Sequence, residues 1–311
     1  MSKAWLAIVL AACLSMLAGC DLEDWGDSSR YKEDFHQSHP LAAGGRLYVE
    51  TFNGSVEVTG WDQEIADISG TKYASTQEGL DALDVDIVAS GDSIRIRTVR
   101  PTGHRGSMGA KYILKVPRRT SLERIESSNG GIRVANIDAG ARLRTSNGGV
   151  NVSGLRGELE VRTSNAGVDL RDVTGPVVVA TSNGGIQVNE IGNGLEATTS
   201  NAAIHASLSG VERGKPLKLT TSNGSVELTL DRLNGNEIKA ATSNAPITVR
   251  LPSDAAAEVK AQTSNASINS EFDVKAKGAA GKNYLAGTIN NGGPLITLTS
   301  SNGSIKLVKK T

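Results

Sequence analysis

Aromatic side chains are missing from the whole middle of this chain: between residues 118 and 271 there is no phenylalanine, tyrosine or tryptophan. That gap excludes a core built on rings, and it removes the aromatic platforms that sugar and base recognition use. Cysteine is almost as scarce, with Cys13 and Cys20 alone. Cys13 lies in an apolar leader, so one thiol remains in the mature chain and no intramolecular disulfide can form. Histidine occurs four times, at 36, 39, 104 and 205. His36 and His39 fall in a polar segment where a chance pair outweighs a metal site. His205 follows Ile204 and is expected to face outward with no acid or nucleophile in register, so neither a zinc site nor a catalytic triad is expected, and no cofactor. A charge of one sign is lacking too: 33 basic side chains balance 33 acidic ones. Loss of Lys3 with the leader makes the mature balance 32 to 33, a net charge of −1, which argues against nucleic acid as a partner.

Long apolar runs are also absent. The longest, Ala4 to Leu17, is about 14 residues, short of the roughly 20 that span a bilayer. With Lys3 before it and Ala18 and Gly19 after it, the run reads as a secretory signal peptide over residues 1–19. Leu17-Ala18-Gly19-Cys20 resembles the bacterial lipobox, which makes Cys20 the expected site of lipidation. Each buried methylene contributes about 0.8 kcal/mol, so two or more acyl chains on Cys20 would anchor the protein firmly. The expected location is the cell envelope, exported and lipid-anchored, at the inner or outer membrane and facing periplasm or surface. Residues 20–40, polar and acid-leaning, read as a tether, with the fold starting near Leu41.

What the chain has in abundance is a repeated Ser-Asn step. It occurs at Ser128, Ser146, Ser164, Ser182, Ser200, Ser222, Ser243, Ser264 and Ser301, at intervals of 18, 18, 18, 18, 22, 21, 21 and 37 residues. Fixed periodicity of this kind marks a solenoid, one coil per repeat. Each step is followed by an apolar-x-apolar strand, such as Ile132/Val134 or Val150/Val152, and preceded by another, such as Leu159/Val161 or Val177/Val179. Period-two alternation puts these side chains on one face and their neighbours in solvent. The spacing therefore predicts an all-β, single-domain parallel β-solenoid (β-helix), with coils of about 18 to 22 residues and capped ends. Crossovers between parallel strands are right-handed in about 98% of cases, so a right-handed winding is expected. One coil buries too few aliphatic groups to offset the entropy of ordering it, so the coils must fold as an array.

The conserved spacing of Ser, Asn and Gly or Ala suits a sharp turn, since Asn tolerates positive φ and hydrogen-bonds locally. Stacked about 4.8 Å apart, Asn129, Asn147, Asn165, Asn183, Asn201, Asn223, Asn244, Asn265 and Asn302 are expected to pair their amides in a ladder. The threonines before the step, from Thr145 to Thr263, are expected to form a parallel hydroxyl row. Residues 41–117 read as an N-terminal β capping region with a short helix opened by a Ser75-x-x-Glu78 capping box, and 118–311 as the repeat solenoid. At the far end Lys306, Lys309 and Lys310 are expected to guard a terminal edge strand.

The SN-G/A-x-[IV] strands behind a lipobox, opened by RLYVETFNGSVEVTGWD and closed by LAGTINNGGPLITLTSSNGSIKL, resemble the bacterial putative-adhesin family of β-strand-repeat proteins. That resemblance covers about Leu41 to Leu307. It implies a parallel β-solenoid of unknown function, often exported, and transfers no catalytic residue; the widened intervals after Ser200 and the insertion before Ser301 depart from regularity.

Some parallel β-helices are polysaccharide lyases or hydrolases, which need clustered carboxylates on one strand face. Here the outward positions read Arg133, Asn151, Asp169, Gln187, His205, Glu227, Thr248, Asn269 on one strand, and Arg142, Glu160, Val178, Glu196, Lys218, Lys239, Lys260, Thr297 on the other. No acid cluster builds up. The loop PTGHRGSMGA, 101–110, lacks a phosphate-binding fingerprint; with Arg100, His104 and Arg105 it is a basic protrusion suited to partner contact. The sequence thus points to a non-catalytic adhesin-like binding or structural scaffold, with a protein or glycan partner in the envelope. The alternative is an envelope-stress regulator that binds a membrane sensor, and a polysaccharide-processing enzyme ranks third.

Overall fold

The structure, a computed structural model, describes residues 30–103, 105–277 and 281–310. The leader, Cys20 and His104 lie outside the described residues, so the signal peptide and lipidation expectations are carried by sequence alone. Two sheets face each other, one of 13 strands and one of 14, and most neighbouring strands are parallel. Each coil contributes one strand to each sheet. Val150, Val152 and Leu155, for example, stand in register with Ile132, Val134 and Ile137 on one side and Val168, Leu170 and Val173 on the other. All nine are buried, as alternation requires when only one face of each strand meets the core. The chain is a β-solenoid with a thin aliphatic interior.

The Ser-Asn step forms one corner of each coil. The opposite corner turns at residues of positive φ, but these are not the ladder asparagines: Asn136, Gly154, Asp172 and Glu190 hold φ of 58°, 64°, 52° and 62°. They repeat every 18 residues, and each bends the strand so that the next residue, Ile137, Leu155, Val173 or Ile191, enters the core. The coils opened by Ser200 and Ser222, of 22 and 21 residues, keep regular strands and place their extra length at this corner, in 209–216 and 231–237. Asn236, fully buried, staples those two loops through its amide to the Glu212 and Lys215 carbonyls and through its Oδ1 to the Asn234 N–H.

The N-terminal elements are β1 (Tyr31–Pro40), β2 (Arg46–Thr51), β3 (Val56–Trp61), β4 (Ile65–Ala74), α1 (Gln77–Ala82), β5 (Asp84–Ser90), β6 (Ser93–Val99), β7 (Met108–Pro117), β8 (Ser121–Ser127) and β9 (Ile132–Ile137). Three expectations are corrected here. Residues 31–40 are not tether but a strand, because β4 offers an edge with which their backbone pairs over ten positions. The coils do not start at 118: β2 with β3, and β6 with β7, are full coils whose strands continue both sheets. The helix is capped by Thr76, whose hydroxyl accepts the Gly79 N–H, one residue later than the Ser75 box.

Coil order in space also departs from order in sequence, at both ends. The coil of β2 and β3 lies between β8/β9 and the later β6/β7. At the other end Leu295–Thr299 is inserted between Ile238–Ala241 and Ala257–Gln262, and Ile305–Lys310 between Ile247–Pro252 and Ile268–Ser270. The C-terminal strand is therefore interior, and its lysines guard no edge. Lys310 pairs with Asp231, and Lys309 lies 5.5 Å over the Phe272 ring that plugs the core. The edges at this end are Ile268–Ser270 and Val274–Ala276, three residues each, too short to recruit another chain readily.

The outer N-terminal coil has room for a ring. Tyr112 is buried, and its hydroxyl meets Thr98 Oγ1 at 2.6 Å, which in turn donates to Thr51 Oγ1 at 3.0 Å. Burial pushes the Tyr112 phenol up to about 12, against the opposing effect of the Thr98 hydrogen bond. An unfolded tyrosine titrates near 10. The stabilisation is therefore complete below pH 10 and is lost as pH rises from about 10 to 12, by about 2 kcal/mol. Urea unfolding at pH 9 and 11.5 should show this slope in the native chain and a shallower one in Tyr112→Phe.

Candidate binding surface

The Ser-Asn corner brings every ladder asparagine together. Asn129 Nδ2 donates to Asn53 Oδ1 at 2.5 Å, Asn147 to Asn129 at 2.7 Å, Asn165 to Asn147 at 2.6 Å, and Asn183 to Asn165 at 2.8 Å. The row continues through Asn201, Asn223 and Asn244, then passes to Asn302 and only afterwards to Asn265. These side chains are exposed. Inside the row, from Asn147 to Asn302, each uses one amide N–H and one oxygen lone pair, which leaves one of each facing solvent, while Asn129 also donates to the Phe52 carbonyl at 3.2 Å. Replacing Asn183 by Leu removes two rungs, to Asn165 and from Asn201. A loss of about 1–2 kcal/mol is expected, against under about 0.5 kcal/mol for exposed Gln187→Leu. Equal urea midpoints for the two variants would leave the rungs without energetic weight.

The threonines do not bond to one another as a row. Their buried hydroxyls serve the turn backbone instead: Thr145 Oγ1 donates to the Gly130 carbonyl at 3.0 Å and accepts from the Gly148 N–H at 3.1 Å. Thr199 donates to the Gly184 carbonyl at 3.0 Å, and Thr242 to that of Gly224 at 2.9 Å. Buried backbone groups at a tight corner need such partners, because water cannot reach them.

In spatial order the residue after Asn runs Gly148, Ala166, Gly184, Ala202, Gly224, Ala245, Gly303, Ala266. From Gly148 onward the alternation is strict because the C-terminal coil is inserted, whereas along the chain it breaks at Ala245 and Ala266; before it, Gly54, Gly130 and Gly148 are three glycine turns in succession. The glycines are buried and the alanines half-exposed, and the glycine N–H turns in toward the Thr or Ser hydroxyl of its own coil, as in Gly184 to Thr181 and Gly303 to Ser300. From Gly148 onward two kinds of turn thus alternate, and a β-carbon fits only one of them.

The next residue faces outward. Gly149, Gly167, Gly185 and Ala203 line the floor of a shallow groove on the 13-stranded sheet, walled by Asn151, Asp169, Gln187 and His205. The Asp169 carboxylate hydrogen-bonds Arg171 at 2.8 and 3.0 Å and raises the guanidinium above its ordinary value. His205 does have an acid in register, contrary to expectation: Glu227 is its strand partner and lies 3.5 Å from Nδ1, with Arg250 3.7 Å beyond. Glu227 is therefore held in a surface ion-pair row.

The 14-stranded sheet carries a second charged face. Arg142 meets Glu123 at 2.8 Å and Glu160 at 3.9 Å, and Arg124 meets Glu126 at 2.7 Å and Glu50 at 3.1 Å. Opposite charges on neighbouring strands keep the face hydrated and intact. Val178 and Lys239 lie in its outward rows. The basic loop is shorter than expected: Met108, Gly109 and Ala110 belong to β7 and are buried, and the Arg100 guanidinium lies 5.4 Å over the Phe52 ring. Among the described residues no group of three or more His, Cys, Asp and Glu side chains is placed to hold a metal ion.

Residues 47–308 match the family model described as Toastrack DUF4097. No curated protein matches the chain in sequence. Among solved structures it is similar to a putative cell adhesion protein from Clostridium sporogenes (11% identity, 89% of this chain and 100% of that one, TM-score 0.21). It is also similar to a putative adhesin from Bacteroides fragilis (12% identity, 89% and 97%, TM-score 0.27) and to a putative lipid binding protein from Parabacteroides distasonis (12% identity, 90% and 97%, TM-score 0.34).

Proposed function

Because the chain belongs to the Toastrack DUF4097 family, we propose that it acts as a non-catalytic, adhesin-like binding scaffold, exported and held at the membrane by lipid on Cys20. The observation that carries this reading is the amide ladder, a row of exposed Asn side chains from Asn129 to Asn265, seated on the half-buried Asn53, that repeats once per coil. Successive coils stand about 4.8 Å apart, so the rod offers hydrogen-bond donors and acceptors at a regular pitch along its length. Outward rows beside it change side chain at every coil, as in Asn151, Asp169, Gln187 and His205. A long, stiff, polar and varied surface suits an extended partner, a glycan strand or an envelope protein, better than it suits a small substrate.

The test is fractionation of cells expressing the native chain or Cys20→Ser, followed by surface protease treatment and crosslinking with mass spectrometry. The native chain should fractionate with membranes and crosslink to envelope glycan or protein, and Cys20→Ser should be released. Membrane retention of Cys20→Ser would overturn the lipid anchor. Capture of a membrane sensor alone, by shielded protein, would replace the scaffold with a regulator of envelope stress.

A further inference from the structure

The segment Tyr31–Pro40 reads as tether by composition yet folds as a strand, and the way β1 is attached explains both. Nearly every one of its side chains is exposed, with only Phe35 and His39 partly covered. Its backbone pairs with β4 in unbroken antiparallel register from Tyr31 opposite Ala74 to Pro40 opposite Ile65. Backbone pairing of this kind accepts almost any sequence, so selectivity must come from side chains. One ring supplies it. Phe35 sits over Gly70, where a β-carbon would come within 2.3 Å of Phe35 Cζ, and it meets the Tyr112 ring edge-on at 5.9 Å. Polar clips on the outer surface include Glu33 to Lys72 at 2.9 Å, Asp34 accepting from Thr71 at 2.7 Å, and His36 with Asp67. On its other side β4 is secured by β7 along Asp67–Ala74, so β4 remains in place when β1 leaves.

We propose that the edge of β4 now covered by β1, with the Gly70–Tyr112 socket, is a strand-docking site, and that β1 is a detachable strap occupying it. The ligand class is an extended peptide with one aromatic side chain at the socket position and acids placed to meet Lys72 and Thr71. In the closed chain β1 is that peptide; a partner strand of the same chemistry takes its place when β1 is released. Apart from its backbone ladder with β4, the strap is held by one ring and by exposed polar pairs, which individually contribute little, so its side chains bury far less than those of the central coils and it is the edge strand that opens first. Local composition that disagrees with the observed element is the expected signature of a functional exchange. The inference does not depend on lipid at Cys20.

Hydrogen exchange on the full chain tests it first. In Phe35→Ala, amides of residues 31–40 should exchange roughly 30-fold faster than in the native chain, while those of the central coils stay unchanged. A labelled peptide of sequence YKEDFHQSHP should then bind the Phe35→Ala chain at least about tenfold more tightly than the native chain, and the same peptide carrying Phe35→Ala should not bind. Gly70→Ala, which fills the socket and also brings a β-carbon within 2.8 Å of the Lys111 carbonyl on β7, should release the strap and abolish peptide binding together, with retained exchange protection of β7 as the control that β4 stays paired. The proposal is overturned by equal protection of residues 31–40 in Phe35→Ala and native chains. It is equally overturned by an opened edge that ignores the peptide, or by binding that does not need the ring.

Discussion

Gly184→Ala should cost about 3 kcal/mol or more, while Gly185→Ala, one residue on, should be neutral or stabilise by about 0.5 kcal/mol. The contrast comes from the two-conformation corner. A β-carbon on Gly184 would stand 1.8 Å from the Ala166 carbonyl oxygen and 2.2 Å from its carbon, and these are backbone atoms of the neighbouring coil. Neither can rotate away, so the coil spacing itself would have to change. A β-carbon on Gly185 would stand 3.6 Å from the Ala203 oxygen, ordinary van der Waals contact. Neither glycine has a positive φ, so the difference is packing rather than backbone preference. The reverse change, Ala202→Gly, should cost about 1 kcal/mol through chain entropy alone. Thermal and urea unfolding of the three variants measures all of this. Similar losses for Gly184→Ala and Gly185→Ala would mean that the alternation of Gly and Ala has no steric basis.

Removal of residues 295–311 should be far more damaging than loss of a terminal coil. The deleted strands bury Ile296, Leu298, Ile305 and Leu307, worth about 8 kcal/mol at about 2 kcal/mol each. They also leave a one-coil gap between Ile238–Ala241 and Ala257–Gln262 in one sheet, and between Ile247–Pro252 and Ile268–Ser270 in the other. Simple closure of the gap would stack Ala266 directly on Ala245, two turns of the same kind, where the native stack places Gly303 between them. A chain ending at Pro294 should therefore lose hydrogen-exchange protection from about residue 238 to residue 277, with the 18-residue coils still protected. A synthetic peptide of residues 295–311 should restore it. Retention of full protection without the peptide would show that the two flanking coils can meet directly.

Much of this was legible in the chain. Inward positions such as Val150 and Val152 were identifiable because a strand's side-chain period is two whatever its neighbours do. The ladder asparagines were identifiable because every coil solves the same corner, so the same residue recurs at the same interval. Other features were not. Glu227 follows His205 in the outward row read from the sequence, but that their side chains meet at 3.5 Å, with Arg250 3.7 Å from Glu227, became visible only in the folded chain. The strand at 31–40 was hidden because its composition is set by solvent on nearly all sides, and only an edge on β4 makes it a strand.

The sequence by itself determined the repeat, the inward and outward faces, the turn residues and the absence of rings from the middle coils, because each is a local consequence of side-chain size, polarity and backbone freedom. The tertiary structure alone decided the order of coils: β2 and β3 beneath β6 and β7, and the C-terminal strands between two earlier ones. Parallel backbone pairing is nearly indifferent to which coil lies next, so periodicity carries no information about neighbours. Toward the C-terminal end steric fit between adjacent turns agrees with the observed order, since each glycine corner there meets an alanine corner, and such fit exists only once the coils are stacked.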